Sequence, residues 1–212
     1  DQSFAYFQNN SILLIAIIFM IIGSLPFLVI AQTSLNNIFA TIQDHQVRIF
    51  LLILFVSIFT IYFFAEIYID GNVFQKIITI SFNTISIISG TGYISENFER
   101  WGNYASVLFL ILMFIGGCAG STTGGLEALR FQILFKYLAL HFKKMLQPHV
   151  VIAGYFNNKS IPETTYESGM SFFFLYIFTF ASSALLLSFS GLDFLTCISA
   201  AASAISNVGP GL

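Results

Sequence analysis

Long apolar stretches without a charged residue recur along this chain, and they set the strongest limit on its fold. They cover residues 11–31, 49–65, 101–126 and 168–192. At about 1.5 Å per helical residue, some 20 residues cross a hydrocarbon core about 30 Å thick. Only 8% of the residues are charged, whereas a soluble domain carries about 25%. The sequence predicts an all-α protein embedded in a lipid bilayer; a buried subdomain of a soluble complex is the alternative.

Two further apolar segments, residues 74–89 and 194–206, are too short and too polar to cross a bilayer. Each follows a full span and a short polar turn, and each ends in a loop that contains glycine. Irregular backbone is tolerated at membrane depth only where protein encloses it or where it lines water. The order of span, half-helix and glycine loop occurs twice, which predicts two re-entrant repeats.

The two glycine loops carry the residues that we expect to bind a cation. They are Ser89, Gly90, Thr91 and Gly92 in the first loop and Ser206, Asn207, Val208 and Gly209 in the second. A helix C-terminus carries partial negative charge, and extended backbone beyond it can turn carbonyl oxygens toward an ion. We therefore predict two walls of one cation filter; close-packed glycine turns between helices are the alternative.

The third long stretch contains a run of small residues that a plain lipid-facing helix would not contain. The run is Gly116, Gly117, Cys118, Ala119, Gly120, Ser121, Thr122, Thr123, Gly124 and Gly125. Each glycine costs a helix about 1 kcal/mol relative to alanine. No Lys followed by Ser or Thr comes after the glycines, which excludes a phosphate-binding loop. We predict a break here, with a flexible loop crossing beneath the filter; small-residue helix packing is the alternative.

Residues 115–126, with Arg130 after them, resemble the broken second helix of the third repeat in the Trk/Ktr/HKT superfamily of potassium transporters, especially its TrkH type. Residues 89–93 and 206–211 resemble that family's third and fourth filter loops. The resemblance implies helix–re-entrant pore helix–helix repeats of the K⁺ channel-like type around a central pore. It divides the chain into the last helix of the second repeat (1–36), the third repeat (37–145) and a fourth repeat without its returning helix (146–212).

The same resemblance implies a pore-forming subunit for K⁺ uptake across the inner (plasma) membrane. Gly92 and Gly209 correspond to the family's filter glycines, K⁺ is expected at the filter residues, and residues 116–125 correspond to the gating loop. Arg130 is the implied charge beside the gate, whereas Glu127 stands where family members commonly have Lys. A homodimer and a cytosolic nucleotide-binding partner of the TrkA type are also implied. Na⁺ or H⁺ is a further candidate ion, and both a channel and ion-coupled symport stay open. No covalent cofactor, enzymatic activity or nucleic-acid partner is expected.

Basic residues predict the orientation. Five of the eight lie between the third and fourth spans: Arg130, Lys136, Lys143, Lys144 and Lys159. The positive-inside tendency makes this segment cytoplasmic, so that both glycine loops face the outer side.

Two other function classes fit less well. A secondary transporter that couples Na⁺ or H⁺ to a small solute also uses broken helices, but the candidate spans lack the ionisable residues that such coupling favours. An enzyme within the membrane would need a cluster of His, Asp, Glu or Cys at depth, and only the isolated Cys118 and Cys197 qualify.

Overall fold

Eight α-helices make up most of the part of the chain that the computed structural model describes, namely residues 4–7, 9–32, 44–69, 71–147, 155–156, 159–160 and 163–211. They are α1 (Asn10–Gly23), α2 (Phe27–Gln32), α3 (His45–Ala65), α4 (Val73–Ile88), α5 (Asn103–Phe114), α6 (Ala128–Leu146), α7 (Glu163–Ser188) and α8 (Phe194–Ser206). Short 3₁₀ turns lie at Phe4–Tyr6, Glu66–Tyr68 and Phe98–Trp101. Two-residue strands, β1 (Tyr155–Phe156) and β2 (Lys159–Ser160), pair antiparallel.

Two of these helices are long and apolar enough to cross a bilayer, at His45–Ala65 and Thr164–Ser188. Each helix has large apolar side chains that point outward: Phe55 and Phe63 of α3 are each 71% exposed, and Phe174 of α7 is 69% exposed. Such faces are unfavourable in water and suit lipid or further protein. The chain is therefore an all-α membrane protein, as the sequence predicts, and the described residues add one small hairpin, β1–β2.

The first apolar stretch differs from its prediction as one continuous span. Helix α1 ends at Gly23 and α2 begins at Phe27, so the chain is broken at Ser24, Leu25 and Pro26. Proline lacks the N–H for a helical hydrogen bond, and its ring clashes with the carbonyl one turn earlier. In addition, the Gly23 and Ser24 carbonyls accept hydrogen bonds from another segment of the chain, which stabilises the break.

The third apolar stretch is broken as predicted. Helix α5 ends at Phe114, residues 115–127 are not helical, and the chain resumes as α6 at Ala128. The basic segment after the break, which the sequence places outside the membrane, is largely this long helix. The boundary predicted between residues 36 and 37 lies outside the described residues, and the division into repeats stays a prediction.

The first half-helix, α4, lies at the centre of the helical packing. It contacts α1, α3 and α5, and every side chain from Phe82 to Ile88 is buried. The second half-helix, α8, packs along α7 and against α5. Because α5 touches both half-helices, it sets their spacing and brings their C-terminal ends to the same region.

Candidate functional site

The first glycine loop turns back over the last turn of α4. The Ser86 carbonyl accepts hydrogen bonds from the backbone N–H groups of Thr91 (3.1 Å) and Gly92 (3.2 Å), and from the Ser89 hydroxyl at 3.2 Å. Gly90 and Gly92 have φ angles of 65° and 73°, which L-residues with a side chain rarely adopt. The loop is thus a fixed backbone turn at the C-terminus of a half-helix.

The second loop repeats this construction at the end of α8 with different residues. Asn207 is left-handed, with φ 56°, and Gly209 has φ 104°. Asn tolerates the left-handed region better than most residues. The Val208 N–H donates to the Ser203 carbonyl (2.9 Å), and the Gly209 N–H donates to the Ser203 hydroxyl (3.0 Å). Ser203 therefore holds the loop over its own helix.

The two loops meet each other. The Val208 carbonyl oxygen lies where a side chain on Gly92 would begin, and the Pro210 ring lies 3.0 Å from that position. A Cβ on Gly90 would lie 3.6 Å from the Asn207 carbonyl oxygen. Two half-helix C-termini and their following carbonyls therefore converge, which concentrates partial negative charge in a form that favours a cation.

The run of small residues in the third stretch forms a closed loop. Its two ends are joined by hydrogen bonds from Gly116 N–H to the Leu126 carbonyl (2.8 Å), from Leu126 N–H to the Phe114 carbonyl (3.2 Å) and from Ala128 N–H to the Gly117 carbonyl (2.9 Å). These bonds satisfy backbone groups that the helix break would otherwise leave unpaired at membrane depth. We call residues 116–125 the intramembrane loop.

Hydrogen bonds of hydroxyl groups connect residues within the intramembrane loop. Thr123 Oγ1 accepts from the Gly117 N–H at 2.9 Å, and it lies 2.8 Å from Ser121 Oγ. The Ser121 hydroxyl donates to the Cys118 carbonyl at 2.6 Å. The glycine-rich composition predicts flexibility, but in the structure the loop is bonded within itself.

One side of the intramembrane loop lies against both glycine loops. The Ser206 carbonyl oxygen lies where a Cβ on Gly124 would be, and a Cβ on Gly90 would lie 3.4 Å from the Gly124 nitrogen. The structure therefore brings together all three segments that the sequence marks as functional. Their roles as filter and gate stay predictions.

Arg130 lies beyond the loop, near the start of α6. Its guanidinium Nε is 3.5 Å from Glu127 Oε2, and its Cζ is 4.1 Å from the centre of the Phe172 ring on α7. Both charged side chains are about a third exposed, at 37% and 34%, so the ion pair itself contributes little. The ion pair with Glu127 and the cation–π contact with Phe172 together fix the orientation of the Arg130 side chain.

Three hydrogen bonds that the sequence does not predict support the two glycine loops. The Asn83 amide on α4 donates to Ser95 Oγ (2.9 Å) and accepts from the Ser95 N–H (3.2 Å), which holds the chain just after the first loop. Tyr176 on α7 lies 2.6 Å from Ser206 Oγ at the end of α8. The sequence shows that polar residues stand within apolar stretches, but a single sequence does not indicate which of them form hydrogen bonds with each other.

The ligands that this region offers are carbonyl and hydroxyl oxygens. In the described part of the chain, no three His, Cys, Asp or Glu side chains lie together in a way that could hold a metal ion. Oxygen dipoles without a full charge suit a monovalent cation that must also leave the site. These oxygen groups are compatible with the predicted cation site, which stays a prediction.

Known proteins resemble this chain in sequence and in fold. Residues 1–212 match the family model described as TrkH, cation transport protein. The chain is 34% identical over 215 residues to the Trk system potassium uptake protein TrkI of Halomonas elongata, and 29% identical over 219 residues to the Trk system potassium uptake protein TrkH of Escherichia coli. Both alignments include 100% of this chain, and they cover 43% and 44% of those proteins.

A solved structure agrees with these relatives. The crystal structure of the potassium transporter TrkH from Vibrio parahaemolyticus superposes on this fold with a TM-score of 0.89 at 27% sequence identity. The superposition includes 100% of this chain and 46% of that one. The chain thus spans less than half the length of the relatives that it resembles.

Proposed function

Because this chain belongs to the TrkH family of cation transport proteins, we propose that it forms part of the pore of a potassium uptake protein. The observation that carries the proposal is the meeting of the two glycine loops, where the Val208 carbonyl lies directly against Gly92. Two half-helix ends that face one point are what a cation filter requires. A protein that used these turns only for packing would not need both helix ends directed at the same place.

In this proposal, the filter replaces part of the hydration shell of K⁺. The ligands are backbone carbonyls of residues 89–92 and 206–209. Gly90, Gly92 and Gly209 have positive φ angles, which glycine adopts readily because it has no Cβ. The loops are hydrogen-bonded to their own half-helices, so little reorganisation accompanies each ion. In this proposal, the remaining walls of the filter come from repeats that residues 1–212 do not include. The relatives are more than twice as long as this chain, which supports that proposal.

The intramembrane loop is the proposed gate. It touches the first glycine loop at Gly90 and the second at Ser206, so it is close enough to close the path beneath the filter. Arg130, held over Phe172, is the proposed charge beside the gate. No bond is made or broken in transport, so the proposal includes neither enzymatic chemistry nor a covalent cofactor.

The assembly is proposed from the family resemblance. It is a homodimer in the inner (plasma) membrane, regulated by a cytosolic nucleotide-binding subunit of the TrkA type. The proposal includes both a channel and symport with Na⁺ or H⁺ as the mode of transport. The division of this chain at residues 36/37 and 145/146 into parts of three repeats belongs to the same proposal. Its support is that the similar proteins are named as members of a Trk system.

Uptake of ⁸⁶Rb⁺ into vesicles that contain the full-length protein tests this function. We expect uptake that exceeds ²²Na⁺ uptake, a lower Rb⁺/Na⁺ preference for Gly92→Ser, and a higher basal rate when residues 116–125 are shortened. Equal Rb⁺ preference in Gly92→Ser and the wild type would exclude the filter assignment. An unchanged rate after shortening would exclude the gate assignment.

A further inference from the structure

The side of the intramembrane loop away from the filter is fastened to the break in the first apolar stretch. The Cys118 N–H donates to the Ser24 carbonyl at 3.0 Å, and the Gly120 carbonyl accepts from the Phe27 N–H at 3.1 Å. These bonds occupy one backbone group on each side of Pro26. The loop therefore completes the hydrogen bonding that the helix break leaves open.

Thr122 makes a double contact to the same break. Its backbone N–H and its Oγ1 hydroxyl donate to the Gly23 carbonyl, at 3.1 and 3.0 Å. Gly23 is the last residue of α1, whose final carbonyls lack helical partners. The Thr122 side chain is therefore a specific anchor, since a valine of the same shape would keep the backbone bond and lose the hydroxyl bond.

Gln46 on α3 supplies a second anchor. Its Oε1 accepts from the Ala119 N–H at 3.2 Å, and only 8% of the residue is exposed. The start of α3 is fixed because Asp44 Oδ1 accepts from the Gln46 N–H at 2.9 Å. The amide of Gln46 thus holds the tip of the loop from a position 73 residues earlier in the chain.

The two sides of the loop are held in different ways. Residues 118, 119, 120 and 122 are hydrogen-bonded to α3 and to the break between α1 and α2. Among the described residues, no hydrogen bond joins residues 116–125 to residues 89–92 or 206–209. Contact with the filter is by close packing alone, so packing can be lost there without leaving polar groups unpaired.

From this asymmetry we propose that Gln46 and Thr122 are positioning residues of the gate, and that the first apolar stretch and α3 hold the loop closed. The inference rests on the proposed gating role of residues 116–125. Each anchor adds one hydrogen bond to the closed position of the loop. The net contribution of an intramolecular hydrogen bond shifts the equilibrium between closed and open positions by a factor of about 2 to 10. Loosening either anchor shifts the loop toward the open position and leaves the filter loops intact.

Gln46→Met and Thr122→Val remove the two anchors with little change in shape. Both are measured in the full-length protein in vesicles, by ⁸⁶Rb⁺ uptake without regulatory partner and by Rb⁺/Na⁺ preference. We expect a basal rate between about 2-fold and 10-fold higher with unchanged ion preference. Thr122→Ser, which keeps the hydroxyl, returns the rate toward that of the wild type.

Gln132→Met is the matched control for Gln46→Met. Gln132 on α6 is 6% exposed, and neither polar atom of its side chain has a hydrogen-bond partner among the described residues. The same substitution therefore removes no anchor, and the rate should stay at the wild-type value. A rise in Gln132→Met equal to that in Gln46→Met would overturn the inference, because any buried change near the loop would then act alike.

Failure of the anchors is distinguishable from failure of the gate itself. If Gln46→Met and Thr122→Val keep the wild-type rate while shortening residues 116–125 raises it, the loop is a gate but is not positioned by these residues. If shortening has no effect, the gate assignment is wrong. Should Gln46→Met fail to fold, Thr122→Val decides alone, since Thr122 lies at an exposed position on the loop.

Discussion

The carbonyl oxygen of Ser206, the last residue of α8, lies where a side chain on Gly124 would have to begin. Ser206 ends a half-helix whose following loop is the second wall of the proposed filter. Gly124 belongs to the intramembrane loop that we propose as the gate. This one contact places filter and gate within van der Waals distance, and any side chain at Gly124 must separate them.

Gly124→Ala should therefore push the intramembrane loop away from α8. Its Cβ meets backbone, which cannot rotate aside as a side chain can, and overpacking of this kind costs about 1–3 kcal/mol. We expect basal ⁸⁶Rb⁺ uptake to rise about tenfold. Gly169→Ala is the control, because a Cβ on this α7 glycine meets no atom within 4 Å; equal rates in both variants would contradict the contact's role.

The two filter glycines should respond differently to alanine. A Cβ on Gly92 meets the Val208 carbonyl and the Pro210 ring and also requires φ +73°, whereas a Cβ on Gly209 is strained only by φ +104° and meets nothing within 4 Å. Left-handed strain alone costs about 1–2 kcal/mol. We expect Gly92→Ala to lower Rb⁺ preference over Na⁺ in competitive uptake more than Gly209→Ala does. The reverse order would mean that space at Gly92 is unimportant.

Tyr176→Phe should destabilise the protein because it leaves the Ser206 hydroxyl without its 2.6 Å partner. Ser206 is 1% exposed, and the loss should lower the free energy of unfolding by about 1–2 kcal/mol. Tyr166→Phe is the control, since the buried Tyr166 hydroxyl has no hydrogen-bond partner in the part of the chain that the structure describes. Denaturant unfolding in detergent measures both, and equal stabilities would exclude a contribution from the Tyr176 bond.

Asn83→Leu should loosen the chain that follows the first filter loop. It removes both hydrogen bonds to Ser95 and leaves backbone and hydroxyl groups unpaired, at a cost of about 1–3 kcal/mol in stability. We expect a lower unfolding midpoint together with weaker Rb⁺ preference. Thr84→Val, next to it on α4, removes a buried hydroxyl that bonds to none of the described residues and should lower neither the unfolding midpoint nor the Rb⁺ preference.

Elements with a strong local signal could be predicted from the sequence. Charge-free length predicted the spans at α3 and α7, and glycine content predicted the break after Phe114. The positive φ angles of Gly90, Gly92 and Gly209 agree with the reason for expecting glycine there. In each case the residues that determine the feature are neighbours in the sequence, so a single sequence is sufficient to predict it.

Features that depend on distant partners could not be predicted. Residues 11–31 have the composition of a single span, and Pro26 alone does not require a break, because membrane helices tolerate proline. The break is stable since Cys118 and Thr122 supply donors to it. For the same reason, the glycines of the intramembrane loop predicted flexibility, although Gly116, Gly117 and Gly124 are needed for close backbone approach.

The location of bound ions distinguishes a cation filter from two close-packed glycine turns. Crystals of the full-length protein in Tl⁺, a heavy substitute for K⁺, would give anomalous scattering at each cation site. We expect Tl⁺ peaks on one axis between the carbonyls of residues 89–92 and those of residues 206–209, on the side of Gly124 that faces these loops. Tl⁺ bound elsewhere in the protein with none between these two loops would contradict the cation filter.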